Sequence, residues 1–386
     1  MISTSHTEDL FLPFTSDSHV IEELRTYTQN RFQHTPQAWE QAKIREDEPQ
    51  VPVWKSYLEE VDALGGVYNM LKKYILPFQF PIAAGISQSK AYKSAALKGI
   101  STAHMPEATG LLLQEPDRLE LKIFDSIGGR VPVLIVPHPE DFQTVIQALA
   151  FKNEPRSIPP SMGAGMMSGL TNWNRIHQLK QAWSIQSPTG SWALHFKSHI
   201  LPQKALYQDR IIVLSTKPYS GINGDAWSYS QEDWKKISLD IRLMHECTHY
   251  FTLRFLGGMY INMHDELLAD YMGICYATGE FREDLCLAFW GLDEPTYRKG
   301  GRLENYLGKS PFSEAAFLAL QNILRAAVKQ VRNFHVQLRQ KESTPSPAIE
   351  LMALSSVSLA ELSAGTGAKQ LLASYQYWKN LPNSTK

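Results

Sequence analysis

Residues 234–273 read WKKISLDIRLMHECTHYFTLRFLGGMYINMHDELLADYMG. Between Trp234 and Leu256 there is neither Gly nor Pro, and Ser230-x-x-Asp233 ahead of it has the shape of a capping box, with Asp where Glu or Gln is usual. Gly257-Gly258 supplies a stop. The spacing therefore predicts one long helix. Its apolar residues, Ile237, Leu239, Ile241, Leu243, Met244, Phe251, Leu253 and Phe255, fall on every side of a helical projection, which is the pattern of a buried helix. The polar residues inside such a helix carry the information, and here they are His245-Glu-Cys-Thr-His249.

On an α-helix, residues i and i+4 lie about 40° apart in projection and one turn along the axis, so both imidazoles face the same way. Two ring nitrogens so placed can reach one Zn²⁺ at about 2.0–2.1 Å each. Glu246 is one step around the helix, near such an ion without ligating it, where a carboxylate can take a proton from water and return it to a leaving group. Cys247 is about 200° from His245 and faces away as an inert thiol. Two buried histidines bonded to carbonyls would be the alternative reading of the pair.

A catalytic zinc site usually has three protein ligands and one open position. A third histidine downstream, as in the metzincins, is excluded, because Thr252 and Phe255 stand where Gly and His are needed. Past the glycine turn comes His264-Asp-Glu-Leu-Leu-Ala-Asp-Tyr-Met-Gly273, in which Glu266 and Asp270 share one face of a second helix. His264, two residues before Glu266, is a competing ligand candidate.

These two stretches resemble the centre of the gluzincins, the thermolysin-like zinc peptidases. There, His-Glu-x-x-His lies on one helix and an Asn/Asp-Glu-x-x-x-Asp stretch on the next. The matching residues are His245, Glu246 and His249, then Asp265, Glu266 and Asp270. The resemblance implies Glu266 as third ligand. It also implies Asp270 as the carboxylate accepting the free ring N–H of a ligand histidine, His245 first, and a ligand imidazole does need its second nitrogen oriented by an acceptor. The resemblance covers residues 245–273 only, and the interval from His249 to Glu266 is slightly shorter than in thermolysin. Those peptidases also bring in a Tyr or His to steady the oxyanion. The candidates here are His264, Tyr260, Tyr271, Tyr297, Tyr306 and His335.

The remaining chain frames this centre. The segments 119–124, 131–136 and 211–216 have strand patterns, and 139–149 has helical spacing with acidic residues in its first turn. Residues 57–76 read as a helix interrupted at Gly65-Gly66. Ser161–Gly169 is glycine-rich but lacks the Gly-Lys-Ser/Thr ending of a phosphate loop, so it reads as a tight turn or close backbone packing. Arg298, Lys299 and Arg302 around Gly300-Gly301 read either as a clamp for a substrate carboxylate or as a solvated turn. Residues 313–340 form a long helical pattern, and 341–348 a linker. The expected architecture is α+β, in two parts. An N-terminal α+β region (1–155) precedes a metallohydrolase domain (156–386) with a zincin-like core, a small sheet packed on the active-site helix and a helical C-terminal lobe.

Lys plus Arg (38) nearly balance Asp plus Glu (39), giving a net charge of −1. No overall basic field is available for nucleic acid. No apolar run is long enough to span a bilayer, and nothing at the N-terminus reads as an export signal. Three cysteines without a Cys-x-x-Cys pair suit a reducing compartment. The expectation is a cytoplasmic zinc metallopeptidase-like hydrolase with one Zn²⁺ per chain, Glu246 as general base and a peptide or protein as partner, without nucleic acid or membrane. A zinc hydrolase of a non-peptide amide or ester and a non-catalytic zinc-binding protein are the alternatives.

Overall fold

A computed structural model describes residues 10–308 and 312–381. The fold is α+β, with many helices and one four-stranded mixed sheet. Two compact units make up the chain: residues 46–217 form one, and the segment up to Arg45 joins everything from Pro218 onward to form the other. The boundary expected near residue 155 falls inside the first of these units. The prolines around it make a connector between a helix and a strand of the same sheet-bearing unit.

In residues 46–217 the strands are β1 (Glu120–Ser126), β2 (Gly129–Val136), β3 (Ala164–Thr171) and β4 (Gln208–Ser215). They lie in the order β1-β2-β4-β3. β2 and β4 are central and parallel, with Val133 opposite Ile212, and they carry the apolar, β-branched runs that a doubly covered strand requires. The helix Pro139–Phe151 buries Phe142, Val145 and Ile146 in the same core as Val136 and Val213. The glycine-rich run takes a different form from the expected turn. Most of it is the edge strand β3, antiparallel to β4, with its register shifted between Ser168 and Leu170 where Gly169 adopts φ +76°. The helix expected over 57–76 is two helices, Val51–Glu59 and Val67–Tyr74, because Gly65 and Gly66 both take positive φ between them.

The other unit is helical throughout its described residues, since every strand lies between 120 and 215. The four strands belong to residues 46–217, where the strand-patterned segments pair with one another, and the motif helix belongs to the other unit. The motif helix, Gln231–Phe255, starts at Ser230, whose hydroxyl caps Asp233 N–H at 3.1 Å. Within its own unit it packs on a second helix, Met263–Thr278, on the helix Pro36–Ile44 and on the short turns at Tyr219–Gly221 and Gly224–Trp227. The two long helices cross closely at Gly273, where a Cβ would stand 2.7 Å from the Ile241 carbonyl oxygen. Asn262 caps the second helix by accepting His264 N–H and Asp265 N–H at 3.1 and 3.0 Å. Behind it lie the helices Glu283–Trp290 and Pro347–Ser356, and the long helix Glu314–Lys341 packs on two further C-terminal helices. Among the described residues no helix is long and apolar enough to cross a membrane.

Candidate metal centre

The first helix presents His245 and His249 on one face, and the second brings Glu266 opposite them; all three are buried. The two Nε2 atoms are 3.1 Å apart. Glu266 Oε1 lies 3.4 Å from His249 Nε2, and its Oε2 lies 3.5 Å from His245 Nε2. Ligand atoms about 2.0–2.1 Å from a tetrahedral ion are separated by about 3.3 Å, so these spacings suit one small cation.

The outer nitrogens of both rings face carboxylates. His245 Nδ1 is 3.0 Å from Asp270 Oδ1, and His249 Nδ1 is 3.3 Å from Asp265 Oδ1, an ion-pair distance without hydrogen-bond alignment. Such contacts favour the proton on Nδ1 and leave the Nε2 lone pairs turned inward. Three lone-pair donors then converge on one point, and Glu266 Oε2 has no hydrogen-bond partner. Burial, the largest single cause, lowers the His249 pKa, but the carboxylates of Asp265 and Glu266 together outweigh it and raise that pKa well above the ordinary imidazole value. Glu266 is held below the usual carboxylate range by His245, His249 and Arg302, although burial pushes it up. In both cases the site favours positive charge at its centre.

The charge balance points the same way. Glu246, Asp265, Glu266 and Asp270 are buried, with Arg242 and a nearly buried Arg302 as the basic residues among them. With both imidazoles neutral, two negative charges are in excess, which a divalent cation would cancel. Unpaired buried charge is costly, so the residues present fit such an ion. Glu246 is 8% exposed and close enough to Arg242 for its charge to act on that guanidinium.

Several partners of this centre carry no local signal in the sequence. Tyr219, from the turn before the motif helix, places its hydroxyl 2.9 Å from His245 Nδ1 and 2.7 Å from Asp270 Oδ1. Trp290 Nε1 donates to Asp270 Oδ2 at 2.7 Å. Arg302 ion-pairs with Asp270 and lies 3.6 Å from Glu266 Oε2. The cationic loop is thus divided: Arg302 points inward instead of forming a solvated turn, while Arg298 caps the Ala288 carbonyl. Of the six oxyanion candidates, Tyr306 is the one whose hydroxyl meets Glu266; burial chiefly, with that carboxylate, pushes its phenol well up. Tyr297 donates to the Gly301 carbonyl, and Tyr260 contributes its backbone N–H to Asp265. The His264 ring faces the Leu354 carbonyl at 3.2 Å and does not join the cluster. Tyr271 and His335 belong to a separate buried network.

The chain belongs to a family of unknown function (DUF7005), whose model matches residues 10–366. No curated protein and no solved structure matches it.

Proposed function

We propose that this protein is a zinc-dependent hydrolase of the gluzincin kind, with a zincin-like pair of site helices and a peptide bond as the group attacked. The observation that carries the reading is the convergence of His245 Nε2, His249 Nε2 and the Glu266 carboxylate at 3.1–3.5 Å from one another. Their outer nitrogens are already turned to Asp270 and Asp265. A zinc ion held there supplies Lewis acidity toward the substrate oxygen and lowers the pKa of water.

The remaining work falls to the chain. Glu246, which is not a member of the ligand group, takes the proton of the attacking water at its carboxylate and passes it to the leaving amine. Tyr306, beside Glu266, offers a hydroxyl to the developing oxyanion. Asp270 and Asp265 hold the rings and do not touch substrate. Cys247, Cys275 and Cys286, none of them in a disulfide, and the balanced net charge suit a cytoplasmic enzyme with a peptide or protein partner.

The test is Glu246→Gln, which keeps size and a hydrogen-bonding group but cannot accept the proton. Cleavage profiling of the wild-type chain on a random peptide library supplies the substrate. The variant is expected to retain about one zinc per chain and to cleave at least about a hundredfold more slowly. Full activity in the variant would remove Glu246 from the mechanism. A metal-loaded wild type that cleaves amides or esters but no peptide would move the substrate class, and one that cleaves nothing would leave a metal-binding protein.

A further inference from the structure

Proton accounting around His245 singles out one residue that the ligand motif does not contain. Arg302 NH1 donates to the Tyr219 hydroxyl oxygen at 2.6 Å, and its NH2 donates to Asp270 Oδ2. An arginine has no acceptor, so the direction of both bonds is fixed. Asp270, ionised against Arg302, can only accept, so the phenolic proton goes to its Oδ1 at 2.7 Å. Tyr219 O and Asp270 Oδ1 then both face His245 Nδ1, at 2.9 and 3.0 Å, as acceptors. Nδ1 must carry the proton, and Nε2 must present its lone pair to His249 and Glu266. Asp270 meanwhile receives from Tyr219 and His245 on one oxygen and from Trp290 and Arg302 on the other. A carboxylate so occupied is held as an acceptor behind the ring instead of competing for the centre.

We propose that Arg302 is the positioning residue of the centre. It orients Tyr219 and Asp270 together, and through them sets the tautomer and angle of His245, which rests on the reading of His245 as a metal ligand. The backbone supports the role. Gly301, just before Arg302, sits where a Cβ would be 2.4 Å from the Trp290 carbonyl oxygen, and Gly291 packs against the same segment. The loop therefore lies flush on the end of the helix Glu283–Trp290, which supplies the Trp290 indole to the same carboxylate.

The experiment uses the full chain with Arg302→Gln, Arg302→Lys, Asp270→Ala and the double variant Arg302→Gln/Asp270→Ala. Zinc affinity is read by competition with a chromophoric chelator. The tautomer of His245 is read in the metal-free chain from its ¹⁵N ring signals, assigned with His245→Gln. Arg302→Gln is expected to weaken zinc by about 10–100-fold, the range for a partner outside the ligand set. It should add nothing in the Asp270→Ala background, because both act along one path. Arg302→Lys, which keeps the charge but loses the planar fork, should fall between wild type and Arg302→Gln, and it stands in if Arg302→Gln does not fold. In the metal-free wild type His245 should be the Nδ1–H tautomer, and the Arg302 variants should mix the two forms. Unchanged affinity and unchanged ring signals would overturn the proposal, as would full additivity with Asp270→Ala. A wild type that takes up no zinc would end the metal reading alone. The ring signals of the metal-free variants would then decide the proposal, a shift supporting it and no shift overturning it.

Discussion

The helix Met263–Thr278 contributes to two buried polar clusters, and they are built to opposite rules. Glu266 and Asp270 belong to the centre described above. Tyr271, next in the chain, joins His335, Glu350 and Arg339 in the other. In that second cluster every strong group is answered. His335 Nε2 accepts Phe281 N–H at 3.2 Å, so its Nδ1 carries the proton and faces the Tyr271 hydroxyl at 3.1 Å. Tyr271 donates to Glu350, and Arg339 NH1 closes the set on Glu350 at 3.1 Å. Burial, with Arg339 and Arg332, pushes His335 down to about 3, whereas the carboxylates beside His249 hold that ring well above its ordinary value. One network is closed and neutral at its histidine. The other gathers two imidazoles and a carboxylate around one point with negative charge in excess, which favours a proton or a cation there. A buried histidine by itself is therefore uninformative; the fate of both its nitrogens decides what it is for.

The largest expected difference between the clusters is in metal uptake. His249→Ala or Glu266→Ala should lower zinc affinity by orders of magnitude, while His335→Ala leaves the zinc content of the dialysed protein unchanged. Loss of zinc in His335→Ala would break the comparison. Next in size is the cost of opening the closed cluster. Glu350→Ala strands Arg339 and Tyr271 and should cost about 3 kcal/mol in denaturant unfolding, the lower end for a broken buried pair because Arg339 is partly exposed. Zinc should stay bound. Asp270→Ala is expected to reduce zinc affinity by about 10–100-fold, measured by chelator competition. A loss as complete as that of Glu266→Ala would make Asp270 a ligand.

The smallest effect sharpens the contrast by sign. A histidine with raised folded pKa adds stability below pH 6.5, lost as pH climbs through the raised value; in the metal-free chain this is the contribution of His249. His335 does the reverse. Its contribution is present above pH 6.5 and disappears as pH falls from there toward about 3. Unfolding of the metal-free chain at a series of pH values should therefore show His335→Asn flattening the acid side alone. An altered alkaline side in that variant would show that the two clusters are coupled.

How much of this was readable in the chain follows from distance along it. The motif helix, its cap at Ser230 and the pairing of Glu266 with Asp270 are encoded by neighbours three or four residues apart, and a helix repeats at that interval. The central strands β2 and β4 announced themselves as apolar runs. Tyr219 did not, and Arg302 stood out only as part of a cationic loop, since they reach His245 and Asp270 from 26 and 32 residues away, and no period links those positions. Composition also misled at β3, where glycine suggested a turn. Backbone pairing with β4 makes a strand from residues whose side chains contribute little. The split of the helical unit into two chain segments was equally hidden, because the contacts that join them, such as Gln33 N–H to the Leu256 carbonyl and the Asn30 side-chain amide to the Ser355 carbonyl, link positions far apart in the chain with no period between them.

That split also sets a timetable for synthesis. The helix Ser18–Thr28 and its neighbours leave the ribosome long before their partners, with Asn30 waiting for Ser355, 325 residues later. At about 5–20 residues per second the wait lasts roughly 15–65 seconds. Residues 46–217, complete with their sheet, have that interval to themselves. The early segment meanwhile holds Val20, Leu24, Phe32 and Trp39, all buried at the end, before the later part of its own unit exists. Nascent chains halted between residues 217 and 355 should accordingly be the forms most in need of a chaperone.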